Sequence, residues 1–306
     1  MAINTLEMAK IFQQALDKQM LVGATSGWME ANAQNVKYNG GDTVRMPEIS
    51  VGGLAKYDRD NGFNQGAVTF EYKDYKLTQD RGRTFHLDAM DVDESNFVAS
   101  AGNVMGEFQR LQVIPEIDAF RYSKIASLAK GATHETATFT PTKDNILEAL
   151  DAEITKIQDI VGDAEPLVIM MSTPARTILN GAKNITKFLD TTAFKAGVID
   201  TKVKTYNEIP LFSVPSARMK TAYVFNDGKT AGQEAGGFKA DTTAKNINWI
   251  IIARRAPIAI SKTDKTRIFM PDINQKADAW KLDYRKFHDL WIPSNKLAGV
   301  WVNTGA

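Results

Sequence analysis

The sequence contains no cysteine. This absence excludes a disulfide framework, a thiolate metal site and a thiol nucleophile, so the fold must be stabilised by burial of apolar surface. Histidine is almost as scarce, and the three that occur are widely separated: His86, His134 and His288. This distribution argues against a histidine metal centre or a catalytic triad. No apolar run approaches the ~20 residues of a membrane-spanning helix.

The chain also lacks an excess of charge of either sign. Among 306 residues there are 37 basic and 36 acidic side chains, a net charge of +1. A dedicated DNA-binding protein normally carries a basic excess that neutralises phosphates, so this balance argues against that class. The first seven residues have neither the basic nor the apolar region of a signal peptide, and we therefore expect a cytosolic chain.

Three short motifs of enzyme sites begin in this sequence, and none is complete. Residues 228–230 read Gly-Lys-Thr like the end of a phosphate loop, but Tyr223 replaces its first glycine. His134 and the next glutamate begin a zinc-protease motif, but Thr138 replaces the second histidine. Half a calcium loop is formed by Asp88, Asp91 and Asp93, without its glycine and final glutamate. The sequence therefore predicts no catalytic, cofactor or metal site, and no enzyme.

The first third of the chain changes from a helical to a strand pattern. The pattern over 1–22 predicts an amphipathic helix, which either packs on its own domain or serves as a partner-binding arm, and glycine-rich turns follow it. Residues 42–93 alternate apolar and polar side chains with period two, for example at Val68, Phe70 and Tyr72. A charged, turn-rich stretch interrupts these strands. This region predicts a long hairpin that packs on another surface, since a two-stranded ribbon alone is marginally stable.

The remaining two thirds of the chain divide into a helix, an α/β unit and a tail of strands. Residues 94–131 carry a helical stripe that Pro115 should kink or split. Residues 132–253 combine two helices with buried strands, and residues 254–306 are again dominated by strands. The fold class predicted from this order is α+β.

The distribution of charge is more informative than its total. Residues 42–93 hold seven basic and ten acidic side chains, whereas residues 254–306 hold ten basic and five acidic ones. Opposite charges on two segments of one chain favour head-to-tail pairing between identical subunits. The alternative is that both segments are simply solvated. The candidate inter-subunit residues are Asp58, Arg59, Asp60, Glu71, Asp74, Asp80 and Arg81 in the first segment, and Arg254, Arg255, Lys281 and Arg285 in the tail.

Short strings in a shared order carry a resemblance to a known family. They include Ser-Val-Gly-Gly-Leu at 50–54, Leu-Thr-Gln-Asp-Arg-Gly at 77–82, Val-Ile-Pro-Glu-Ile-Asp at 113–118 and Trp-Lys-Leu-Asp-Tyr-Arg-Lys-Phe-His-Asp-Leu at 280–290. On these strings the sequence resembles the Hong Kong 97-type major capsid proteins of tailed phages. The resemblance covers nearly the whole chain and is to the branch found in phages or prophages of Gram-positive bacteria.

The resemblance implies a function and a set of partners. Residues 1–41 would be an N-terminal arm that reaches across neighbours, and 42–93 would contain the extended loop that lies over a neighbouring subunit. Residues 94–131 would form the spine helix of a peripheral domain that 254–306 completes, and 132–253 the axial domain. Copies would form pentamers and hexamers of an icosahedral shell, assembled in the bacterial cytoplasm and enclosing double-stranded DNA in the virion. Implied partners are a separate scaffolding protein, a portal, decoration or connector proteins and, non-specifically, DNA, with no membrane and no cofactor.

Two other functions stay open at this point. An encapsulin-type compartment has the same fold but encloses enzymes, and a cytosolic enzyme or binding module of unknown chemistry represents a different class. One branch of the capsid family links a loop lysine covalently to an asparagine. Residues of these types occur in the corresponding regions, but they are too common to predict a crosslink: Lys56, Lys73, Lys76 and Asn295.

Overall fold

The computed structural model describes residues 23–35, 41–60, 62–88, 97–182, 189–196, 199–274 and 277–305. The helix predicted over 1–22 lies outside these residues. The first described element is a 3-10 helix at Gly27–Asn35. The described chain is a mixture of helices and mainly antiparallel sheets, which confirms the α+β class.

A two-stranded ribbon follows, as the period-two pattern predicted. Strands β1 (Thr43–Val51) and β2 (Val68–Lys76) pair antiparallel along their whole length. At the base of the ribbon, Val44 and Met46 are buried in a cluster with Leu77, Ile258, Ile260 and Trp291. The ribbon therefore packs on the tail strands only at its base.

The next layer is a three-stranded antiparallel sheet under a long helix. Strand β3 (Gln79–Asp88) pairs with β13 (Ala279–Trp291), which also pairs with β12 (Ile258–Phe269). The helix consists of α1 (Phe97–Phe108), a π turn at Gln109–Val113 and α2 (Ile114–Gly131). Their shared core contains Met105, Val113, Ile117, Leu282 and Tyr284. Strand β3, predicted as part of the extended loop region, is thus integrated into the sheet of the tail.

The expected interruption at Pro115 takes the form of the π turn. Proline lacks a backbone N–H and its ring crowds the carbonyl four residues earlier, which here belongs to Leu111 inside the π turn. A wider turn accommodates the ring without ending the helix. The helix therefore runs on from α1 through the π turn to α2.

The α/β part is built on a seven-stranded sheet. Its strands are β4 (Glu135–Thr136), β5 (Leu167–Ser172), β6 (Leu189–Ala196), β7 (Ile199–Tyr206), β8 (Ile209–Val214), β11 (Ile247–Ala253) and β14 (Val300–Thr304), in the order β4-β14-β11-β5-β8-β7-β6. Helices α3 (Ile146–Val161) and α4 (Thr173–Asn180) belong to this part. Strands β5 and β11 are buried along their whole length, as their continuous apolar runs predicted.

Three features of this part differ from the sequence prediction. The hairpin of β6 and β7 was not predicted, because threonine and charged residues dilute its apolar pattern. Strands β9 (Tyr223–Phe225) and β10 (Phe238–Ala240) form a separate two-stranded sheet. The last strand, β14, was grouped with the tail strands, but it pairs with β11 in the seven-stranded sheet.

Candidate functional site: an exposed apolar face on the ribbon

The ribbon has two chemically different faces. Directly opposed residues of an antiparallel pair project to the same side, and the register opposes Ile49 to Phe70, Val51 to Val68, and Pro47 to Tyr72. One face of the ribbon is therefore a continuous apolar stripe, defined here as Pro47, Ile49, Val51, Val68, Phe70 and Tyr72. The other face carries buried apolar residues at the base and polar residues such as Glu48 and Glu71 further out.

The apolar stripe is exposed throughout. Ile49, Val51, Val68, Phe70 and Tyr72 have between 53% and 71% of their surface accessible. The connecting loop adds Leu54, Tyr57 and Phe63, which are also exposed, and Tyr57 and Phe63 contact each other edge to face at 5.0 Å. A contiguous exposed apolar patch of this kind marks a binding surface more often than a solvated one.

Hydrogen bonds to Ser294 join the ribbon to the body near the middle of its two strands. Lys73 Nζ lies 2.6 Å from a carboxylate oxygen of Glu48 and donates a hydrogen bond to Ser294 Oγ at 3.2 Å. Glu48 also accepts hydrogen bonds from the Ser294 backbone N–H and from the Tyr75 hydroxyl. We call this group, Glu48, Lys73, Tyr75 and Ser294, the ribbon latch. It sets the direction in which the ribbon leaves the three-stranded sheet.

The ribbon latch also affects whether Lys73 can form a covalent crosslink to an asparagine. The hydrogen bond with Glu48 raises the pKa of Lys73, and the same bond lowers the pKa of Glu48. A lysine amine attacks an amide only in its neutral form. The pairing therefore keeps Lys73 protonated and disfavours it as a nucleophile toward Asn295, which is exposed in the segment Ser294–Gly299.

Four of the predicted inter-subunit residues lie on the outer half of the ribbon. Asp58 begins the tight turn of the connecting loop, in which its backbone pairs with Gly62 and its carboxylate accepts the Asp60 N–H. Arg59, Asp60 and Glu71 are exposed. Because 42–76 contains five basic and six acidic residues, the acidic excess of the longer segment does not lie on the ribbon itself.

The other residues predicted in the first segment and on β13 have partners within the same chain. Asp74 pairs with Arg45 at 2.9 Å, and Lys281 pairs with Asp283 at 3.2 Å. Asp80 and Arg285 form a two-bond ion pair, in which the Arg285 guanidinium lowers the pKa of Asp80. Arg81 pairs with Glu116 on α2. Their role between subunits stays a prediction.

The two remaining arginines lie at the turn between β11 and β12. Arg255 is exposed and Arg254 is half-buried. Their carbonyl oxygens are held from neighbouring segments, since Asn32 Nδ2 donates to Arg254 O at 2.8 Å and Lys296 Nζ donates to Arg255 O at 2.9 Å. The turn is thus fixed while the Arg255 side chain faces solvent.

The three-stranded sheet has a basic outer face. Leu282, Tyr284 and the other even-numbered residues of β13 up to His288 point toward the helix and are buried, so the odd-numbered residues form the opposite face. Lys265 is opposed to Arg285, and Arg267 to Asp283. We call this surface the outer sheet face, with Lys265, Arg267, Lys281, Arg285, Asp80 and Asp283. It is a polar surface with a basic excess.

The incomplete motifs have structural roles. Asp227 Oδ1 accepts the backbone N–H groups of Lys229 and Thr230, so the groups that would hold a phosphate are occupied by the chain's own carboxylate. The Thr230 hydroxyl and these N–H groups lower the pKa of Asp227 to about 2. His134 binds Leu297 O and stacks on Trp301. Among the described residues, no group of three or more acidic or histidine side chains is arranged around a metal position. Within the same residues, no helix is long and apolar enough to cross a membrane.

The apolar stripe was not among the predicted site residues, although its signal is present in the sequence. The alternation at Val68, Phe70 and Tyr72 was recognised as a strand pattern, and Pro47, Ile49 and Val51 show the same alternation. Burial of such a face was expected, but the strand pattern alone does not distinguish a face that the chain buries itself from one that stays exposed.

No family model and no curated protein matches the sequence. Solved structures do match the fold over most of its length. An asymmetric unit of the bacteriophage PhiM1 mature capsid contains a chain with a TM-score of 0.56 and 10% identity, over 88% of this chain and 83% of that one. A capsid structure of the cyanophage P-SCSP1u gives 0.56 and 12%, over 87% and 84%. A structure from Mycobacterium phage Ogopogo gives 0.55 and 11%, over 90% and 91%. The fold of this chain is therefore one that chains of phage capsids have.

Proposed function

We propose that this chain is a structural protein, a major capsid protein of the Hong Kong 97 type, whose copies assemble into the icosahedral head shell of a tailed phage around double-stranded DNA. The observation that carries this proposal is the exposed apolar stripe on a ribbon, in a chain with a phage-capsid fold. In this function the ribbon is the extended loop, α1 and α2 form the spine helix, and the seven-stranded sheet belongs to the axial domain.

Burial of the apolar stripe favours a contact between the ribbon and a second copy of the chain. Burial of one large apolar side chain contributes about 1.5–3 kcal/mol. An exposed ion pair contributes about 0–1 kcal/mol. Six apolar side chains therefore outweigh the charged residues of the ribbon, and charge mainly selects the register of the contact. The outer sheet face of the neighbour is the candidate receiving surface, and its basic excess complements Asp58 and Asp60 in the connecting loop.

Substitutions at two neighbouring residues of β2 can distinguish an apolar contact between subunits from a charged one. Phe70→Ser removes the centre of the stripe, whereas Glu71→Ser removes a charge from the opposite face. We expect Phe70→Ser to abolish shells in electron micrographs while the unassembled chain melts within a few degrees of the wild type, because Phe70 is already exposed. Thr69→Ala is the matched control. Normal shells from Phe70→Ser would contradict the role of the stripe, and loss of shells only in Glu71→Ser would favour the charged contact.

The tail arginines supply a second test of the charged contact. Replacing both Arg254 and Arg255 with Glu should impair assembly and leave the monomer folded, as judged by circular dichroism and size-exclusion chromatography. Normal shells from this variant would remove the two arginines from the interface. A separate scaffolding protein, a portal, decoration or connector proteins and non-specific DNA contact belong to the same proposal, with the virion as location and the bacterial cytoplasm as the place of assembly.

A further inference from the structure

The three-stranded sheet and the β9–β10 hairpin meet across a cavity of about 500 Å³. Its walls are the inner side of the sheet, the helix around the π turn and the loop 226–237 that connects β9 to β10. Phe108 of α1 contacts Phe85 of β3 and Tyr284 of β13, with ring centroids 4.9 and 5.9 Å apart. Because the cavity separates this aromatic group from the loop, apolar packing does not fix the loop on the sheet at this point.

The Arg81 guanidinium is the main polar link across the cavity, and Arg83 adds one long hydrogen bond to Glu234 O. Arg81 of β3 donates two hydrogen bonds to the Glu116 carboxylate on α2, at 2.7 and 3.3 Å. It also donates to the carbonyl oxygens of Asn226, at 2.7 Å, and Gly237, at 3.1 Å, which are the two ends of the loop. Arg81 thereby connects the sheet, the long helix and the hairpin, and four of its five N–H groups are used within the chain.

Hydrogen bonds within the loop 226–237 hold it together as a unit. Asn226 Nδ2 donates to Gly236 O, and Asp227 binds the backbone of Lys229 and Thr230. Gly236 has a φ of +71°, a left-handed backbone conformation that glycine adopts without strain. A displacement at Asn226 and Gly237 therefore moves the whole loop.

We propose that Arg81 is a positioning residue that sets the orientation of the β9–β10 hairpin, and of the α/β part to which it belongs, relative to the three-stranded sheet, and so sets the curvature of the shell. The claim about shell curvature rests on the proposed function. The claim about the orientation of the hairpin rests only on the contacts of Arg81. Lysine cannot replace it, because one ammonium group cannot reproduce the planar fork that binds a carboxylate and two carbonyls together.

Hydrogen exchange measured by mass spectrometry tests the orientation on the unassembled chain. In Arg81→Gln and Arg81→Lys, peptides that cover 226–237 should exchange about tenfold faster or more, since hydrogen bonds from a charged donor are lost. The matched control is Arg83→Gln, which removes a cation from the same face of β3 but only one long hydrogen bond, to Glu234 O at 3.3 Å. If either Arg81 variant fails to fold, Glu116→Gln replaces it, with a smaller acceleration expected. Exchange at the wild-type rate in the folded variants would overturn the inference.

Electron microscopy of assembled particles tests the consequence for the shell. Arg81→Gln should give shells with a changed or broadened diameter, whereas Arg83→Gln should give the wild-type diameter. Faster loop exchange combined with shells of wild-type diameter would overturn the link to curvature. If the wild-type chain forms no shells, either alone or together with its scaffolding protein, the proposed function fails, and loop exchange still decides whether Arg81 positions the hairpin.

Discussion

Asp118 shows how much of the fold depends on single polar side chains. Its fully buried carboxylate accepts hydrogen bonds from the backbone N–H and hydroxyl groups of Thr25 and Ser26, and from Arg218 at 3.1 Å. Arg121, one turn further along α2, donates to Ser26 O and pairs with Glu30. These contacts join the first described segment, the long helix and the α/β part at one point.

Asp118→Asn should therefore destabilise the monomer. The amide keeps one acceptor oxygen but turns an N–H₂ group toward donors, which leaves buried donors unpaired at a cost of about 1–3 kcal/mol. We expect Tm to fall by roughly 2–8 °C. We also expect faster hydrogen exchange over 25–30. Asp159→Asn, at an exposed position on α3, is the control and should leave both unchanged. An unchanged Tm in Asp118→Asn would show that these bonds contribute little.

The ribbon latch predicts a dependence on pH. The pKa of Glu48 is lowered in the folded chain, so its stabilisation is complete above the ordinary glutamate pKa of about 4.3 and is lost as the pH falls through the lower folded value. Glu48→Gln should therefore melt slightly below the wild type at pH 7, and the difference should shrink as the pH falls below about 4.3 and vanish below the lowered folded pKa of Glu48. Glu71→Gln, which removes the carboxylate directly opposite, is the control. A difference that persists or grows in acid would contradict this role for Glu48.

At the scale of elements, long apolar patterns predicted most of what was observed. The helix α3 ends at Val161, directly before Gly162, and β5 and β11 lie where continuous apolar runs predicted buried strands. The hairpin of β6 and β7 and the location of β14 could not be predicted in this way. Pairing partners depend on tertiary contacts, and the sequence of β14 fits either sheet.

A buried polar network explains the location of β14. The Glu153 carboxylate on α3 accepts hydrogen bonds from Asn303 Nδ2 at 2.7 Å and Trp249 Nε1 at 2.6 Å, and Asn303 accepts one from Asn248. Burial raises the pKa of Glu153 despite these donors. Because a buried polar group is costly without its partner, the network favours the one register in which Asn303 meets Glu153.

Glu153→Ala should loosen β14 in particular. It leaves the Trp249 and Asn303 donors unpaired, which should cost about 2–4 kcal/mol. We expect Tm to fall by about 5–10 °C. Hydrogen exchange over 300–304 should accelerate more than exchange over 167–172. Glu148→Ala, at an exposed position on the same helix, should change neither. Uniform acceleration throughout the seven-stranded sheet would contradict a specific role at β14.

For the whole molecule, the charge pattern indicated an interface but did not identify its chemistry. Asp80 contributes to the acidic charge of the first segment, and Arg285 contributes to the basic charge of the tail. These two residues pair with each other inside one chain. This pairing could not be predicted, because it depends on β3 joining the sheet of the tail. The apolar stripe has a readable pattern, but its exposure is a property of the folded molecule. In the monomer this apolar face remains exposed to water.

Electron microscopy of the purified, full-length wild-type protein tests this account most directly. The account predicts shells with a regular surface lattice of rings of five and six subunits, with ribbons lying on neighbouring copies. A protein that remains a 33.8 kDa monomer at every concentration and ionic strength tested, both alone and together with its scaffolding protein, would contradict it.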